Sequence, residues 1–112
     1  MTQDDIDLLI RAAKKSHIRF DEDRVTPHPV SGTFFGLWLT YDREPTEYDD
    51  RYWNPLSKRH QAFALMVQHG LKVGPPKYKG FGASAGNHTV FRDGLSAELL
   101  TCRAIVTAVG NA

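Results

Sequence analysis

The chain has 112 residues, 41% apolar and 24% charged, with a net charge of +1; these proportions are ordinary for a globular protein and argue against disorder or membrane insertion. That length suits one domain spanning residues 1–112 around a single core, and the longest apolar stretches, such as Phe34 to Leu39, are far too short to span a bilayer. Cys102 is the one cysteine, which excludes an internal disulfide and a multi-cysteine zinc site, and the acidic Met-Thr-Gln-Asp-Asp start differs from a secretory signal, so a cytoplasmic location is expected.

The first predicted element is a helix from Gln3 to His17. Thr2 is its N-cap, and Ile6, Leu9, Ile10, Ala13 and His17 form the buried stripe. Asp4, Asp5 and Asp7 crowd its first turns and Lys14 and Lys15 its last, the arrangement that the helix dipole favours. Asp21 to Val30 reads as a loop containing Pro27-His28-Pro29. Thr33 to Tyr41 reads as a strand with Phe35, Leu37, Leu39 and Tyr41 on one side and Phe34, Trp38 and Thr40 on the other. Both faces are then apolar and both need covering.

Asp42 to Asn54 reads as a second polar loop. Asn54 as N-cap and Pro55 at the first helical position predict a helix from Pro55 to Gly70 that buries Leu56, Phe63, Met66, Val67 and Leu71. Leu71 to Val73 predicts a short edge strand, and Gly74-Pro75-Pro76 marks a break. Gly86-Asn87, between residues 81–85 and 88–92, predicts a tight hairpin. The last helix follows Asp93-Gly94, with Ser96 as cap, Leu95 and Leu100 as a hydrophobic staple, and a stripe of Leu95, Leu99, Cys102, Val106 and Val109.

Amphipathic helices need a covering layer. The elements therefore predict an α+β domain: a compact α-β-α sandwich in the order α-β-α-β-β-α, with a small, mostly antiparallel sheet of about three strands covered by three helices.

Trp53-Asn54-Pro55-Leu56, followed by Ala62, Leu65, Gly70, Leu71 and Val73, and the closing Arg103-Ala104-Ile105-Val106 with Ala108, resemble small phage and prophage proteins that contain the phage ABA sandwich domain. The resemblance covers residues 52–110 and departs where Ser57-Lys58-Arg59-His60 stands in place of that group's acidic run. It implies an α-β-α sandwich, a phage or prophage origin, residence in the bacterial host cytoplasm, and no assigned catalytic residues.

Charge is unevenly distributed along the chain: residues 1–56 carry a net −4 and residues 57–112 a net +5. Lys58, Arg59 and His60 place cations at a helix start that is already partially positive, which calls for a nearby acid or a bound anion. Asp49 and Asp50 are near enough in sequence to serve. Otherwise Lys58, Arg59, His60, Lys72, Lys77 and Lys79, with Tyr78 and Phe81 as stacking groups, form a candidate surface for an acidic partner or single-stranded nucleic acid. The overall charge falls short of a typical nucleic-acid module.

The acidic-aromatic stretch Glu44, Glu47, Tyr48, Asp49, Asp50, Tyr52 and Trp53 could supply paired carboxylates beside an aromatic platform, but a solvated loop anchored by Trp53 is the better account, since aromatic residues are mostly core anchors. Cys102 lies on an apolar stripe, where a thiol is a small buried group. His17, His28, His60, His69 and His88 lack zinc-ligand spacing, and residues 80–86 lack the ending of a phosphate loop, so hairpin glycines account for them better. Asn87-His88-Thr89 matches a glycosylation acceptor only by chance if the chain is not secreted. No metal or cofactor is expected. The sequence therefore favours a binding protein with a protein partner, possible self-association and no catalytic site, with weak nucleic-acid binding by the basic second half as the alternative.

Overall fold

A computed structural model of the chain describes residues 2–24, 35–74, 83–86, 88–90 and 95–112. Helix α1 spans Gln3–Lys15. The hydroxyl of Thr2 accepts from the Asp5 amide at 3.2 Å while the Asp5 carboxylate accepts from the Thr2 amide at 3.3 Å, a reciprocal cap that fixes the expected helix start. Ile6, Leu9 and Ala13 are buried as predicted, joined by Leu8 and Ala12. His17 is instead exposed, at φ 57, just beyond the helix.

Helix α3, Ala97–Gly110, is the centre of the fold. Ser96 caps it by accepting from the Leu99 amide at 3.2 Å. The predicted stripe residues Cys102, Val106 and Val109 are buried, and so are Leu100, Ala104, Ile105 and Ala108, because the helix is covered on more than one side. It packs against α1, against helix α2 (Arg59–His69), and against a three-stranded antiparallel sheet of β3 (Val73–Gly74), β4 (Ala83–Ala85) and β5 (His88–Val90) in the order β3-β4-β5. Arg103 reaches from α3 to the Asp5 carboxylate at 2.8 Å, a largely buried charge pair between the first and last helices. A methyl group at Gly110 would lie 2.6 Å from Leu8 Cδ1, so the glycine lets α1 and α3 approach closely.

The α+β class and antiparallel pairing stand as expected, and the β4–β5 hairpin turns at Gly86 as read; Asn87 lies outside the described residues. Two features differ. Among the described residues there are two small sheets, and the order gains strands on either side of α2. Among the described residues, the predicted long strand contributes β1, Leu37–Trp38, which pairs with β2, Tyr52–Trp53, inside a segment expected to be loop. Leu39 prolongs the edge through a bridge to Phe20.

The strand's two faces are also not equally covered. Leu37 and Trp53 stand opposite each other and point into the core, whereas Trp38 and Tyr52 form the outward pair. Strict alternation would put Phe35 inside with Leu37. Gly36 prevents this: at φ +139, with the Trp53 carbonyl oxygen 2.9 Å from where a Cβ would sit, it breaks the alternation. Phe35 is left 56% exposed, its ring 5.7 Å from Tyr52 on the outer face. Phe34 lies outside the described residues.

Helix α2 departs most from expectation. Asn54 and Pro55 open a separate single turn, in which the Asn54 carbonyl accepts from the Ser57 and Lys58 amides at 3.1 and 2.9 Å. Lys58 is extended, at φ −99 and ψ 107, and the helix begins after it without a side-chain cap. The Asn54 carboxamide does not cap; its Nδ2 donates to the Phe35 carbonyl at 3.3 Å and its Oδ1 is buried without a hydrogen bond among the described residues. Gly70 ends the helix in the left-handed conformation, as read from the sequence.

The buried residues of α2 are Gln61, Ala62 and Leu65; Phe63 and Val67, expected inside, are 61% and 63% exposed. The reason is the Gln61 side chain. Its Oε1 accepts from the Asn54 amide at 2.6 Å, and its Nε2 donates to the Tyr52 carbonyl at 2.9 Å and to Asp50 at 3.1 Å. Phe63 follows Gln61 by two residues, about 200° around a helix, so burying the glutamine turns the phenylalanine out. Leu56 is buried in the preceding turn, and Met66 and Leu71 are half-buried, as a stripe only partly in phase requires.

Candidate functional site

The predicted basic group divides when placed in the fold. Lys58 Nζ donates to the Tyr52 carbonyl at 2.9 Å, Arg59 pairs with Glu98 on α3 at 2.6 Å, and His60 Nε2 lies 2.9 Å from Asp50 Oδ2. The cations at the α2 start are thus met by the protein's own carbonyl and acids. Lys72 is exposed beyond the far end of α2, with no side-chain hydrogen bond or ion pair among the described residues. Lys77, Tyr78 and Lys79, together with Phe81, lie outside the described residues.

The two aspartates proposed to offset the helix start act separately. Asp50 does so, accepting from His60 and Gln61; burial alone would raise its carboxyl, but these hydrogen bonds and the nearby His60 and Lys58 charges hold it below the ordinary range. Asp49 turns away to Arg43, at 2.6 and 2.9 Å, and to the Thr46 amide, and these bonds hold its carboxyl well below the usual carboxylate range. The pair therefore does not converge as two carboxylates on one substrate would require. Glu44 and Glu47 are exposed, and Tyr48 is 89% exposed at the tip of the loop.

Cys102 is buried, and desolvation, reinforced by the Glu98 charge, pushes its thiol above its usual value. That environment suppresses the nucleophilic thiolate. His69 Nε2 lies 2.9 Å from Ser16 Oγ, tying the end of α2 to the end of α1; His88 is half-buried on β5, and His28 lies outside the described residues. No group of three metal-ligating side chains occurs among the described residues.

A different set of residues forms an aromatic and cationic face. On the outer side of the β1–β2 ribbon, the Phe35, Tyr52 and Trp38 rings meet in sequence, the Trp38 and Tyr52 centroids 5.4 Å apart and nearly perpendicular. The Arg24 guanidinium lies 4.6 Å from the Trp38 ring centre and that of Arg51 lies 5.2 Å from it. Arg51 has no ion pair among the described residues, while Arg24 shares Asp21 at 3.5 Å. The sequence held part of this signal, since Trp38, Tyr52 and Arg51 are all visible in it. What it did not reveal was the pairing of Tyr52 with Trp38, or the glycine that brings Phe35 to the same side.

Depressions flank the start of α2. One is an apolar groove of about 430 Å³ between α2 and α3, lined by Phe63, Met66, Cys102 and Ile105 and bounded by the Arg59–Glu98 pair. Another, about 420 Å³, lies between α2 and the segment after α1 and is lined by His17, Leu39, Tyr41, Asp50, His60 and Gln68. No helix among the described residues is long and apolar enough to cross a membrane. No family model, curated protein or solved structure matches the chain.

Proposed function

We propose that the protein acts by binding another protein, as a phage or prophage accessory factor, and that the outer face of the β1–β2 ribbon makes the contact. The observation that carries this reading is the concentration of Phe35, Trp38, Tyr52, Arg24 and Arg51 on one face. Large rings and arginines are the residue types that dominate binding energy at protein interfaces: rings bury much area while losing little side-chain freedom, and arginine adds a planar stacking face with several hydrogen-bond donors. A phage origin is supported by the resemblance around residues 53–56 and 103–106. The alternative, nucleic-acid binding through the basic second half, has less to draw on among the described residues, since Lys58, Arg59 and His60 are already engaged within the chain.

The test is to identify a phage or host protein retained by the immobilised chain and measure its affinity in purified form. Replacing Phe35 and Arg51 together with alanine should weaken that affinity about tenfold or more while leaving the melting temperature unchanged. An unchanged affinity for the folded double variant contradicts the proposal.

A further inference from the structure

We infer that the groove between α2 and α3 is a self-association surface, occupied by the same face of a second copy of this chain. This contact is separate from the ribbon face and does not depend on it. Phe63 and Val67 lie four residues apart on α2, and each is more than three-fifths exposed; Phe63 lines a groove whose walls also include Met66, Cys102 and Ile105. The patch thus carries both a projecting ring and an apolar hollow. A symmetric contact requires that combination, because the same surface must supply the knob and the hole.

Charge points to the same occupant. The two ionic side chains lining the groove have opposite signs and stand on opposite walls, Arg59 on α2 and Glu98 on α3. A two-fold axis running along the groove lays α2 of each copy over α3 of the other. Arg59 of one copy keeps its own Glu98 at 2.6 Å and also faces Glu98 of the second, twice, so that the four charges alternate in sign, and Phe63 faces the opposing α3 wall near Ile105. A partner of a single charge sign would satisfy one wall and oppose the other.

Sedimentation of the full chain and three variants tests this. The parent is expected to form a particle of twice the 12.6 kDa chain mass. Phe63→Glu should weaken association about a hundredfold or more, with the circular dichroism spectrum unchanged, since the ring is exposed in the single chain. Arg59→Glu and Glu98→Arg should each be monomeric alone, because each sets like charges against each other, and should pair when mixed, because only the mixed dimer restores two opposite-charge contacts. A parent that stays monomeric at its highest soluble concentration overturns the inference, as would occupation of the groove by a different protein only. So does a dimer that survives Phe63→Glu, or two charge variants that fail to pair when mixed although each remains folded.

Discussion

Helices α1 and α2 are similar in length, yet one follows its hydrophobic pattern and the other turns part of its pattern to solvent. In α1, cap, charges and stripe agree: Thr2 and Asp5 fix the start, and Ile6, Leu9 and Ala13 enter the core. In α2 the decisive contact is polar. Gln61 makes three hydrogen bonds to residues 50–54, and leaving its carboxamide and the Asn54 amide buried and unpaired would cost more than exposing Phe63 and Val67. Apolar periodicity sets the rotation of a helix only when no buried polar group sets it first.

The largest expected effect lies on the inner face of α2. Leu65→Ala should destabilise the fold by about 2–5 kcal/mol in a denaturant titration, since it empties a fully enclosed site. Gln61→Leu conserves bulk but leaves the Asn54 amide without its partner and the Tyr52 carbonyl with Lys58 as its remaining side-chain donor; a loss of about 1–3 kcal/mol is expected, and a neutral result would break the account of why α2 is rotated. On α1, Thr2→Ala removes a cap without disturbing the core and should cost about 1 kcal/mol.

A smaller effect depends on pH. Asp50 is held lower in the folded chain than in an unfolded one, so folding favours its ionised form. Its contribution is complete above the ordinary aspartate value of about 3.9 and is lost as the pH falls through the lower folded value. The stability difference between the parent and Asp50→Asn should therefore be greatest near neutrality and shrink in acid. A difference independent of pH would show that the His60 and Gln61 contacts do not depend on the carboxylate charge.

Much of the architecture was legible because it rests on local signals. The Thr2 and Ser96 caps, the Gly70 stop and the Gly86 turn are each determined within a few residues. Residues that carry the phage-domain resemblance are largely core: Trp53, Pro55, Leu56, Leu65, Ala104, Ile105 and Val106 are buried. Such a motif speaks to packing and leaves the surface unspecified. The pairing of Trp38 with Tyr52 joins residues separated by a polar loop, and no local pattern encodes it. The exposure of Phe63 was hidden for a related reason, since it follows from what Gln61 reaches across the fold. Lys58, Arg59 and His60 stood out by their unfavourable position, and the fold answers that position internally, with Tyr52, Glu98 and Asp50.

The rotation of α2 underlies both the groove and the rejection of simple periodicity, and one pair of stabilities tests it directly. Phe63→Ala and Leu65→Ala would be compared by denaturant unfolding at a concentration where the chain is monomeric, so that self-association adds nothing. The fold described here predicts that Phe63→Ala stays within about 0.5 kcal/mol of the parent while Leu65→Ala loses several times more. A loss of about 3 kcal/mol or more for Phe63→Ala would place that ring in the core and contradict the account.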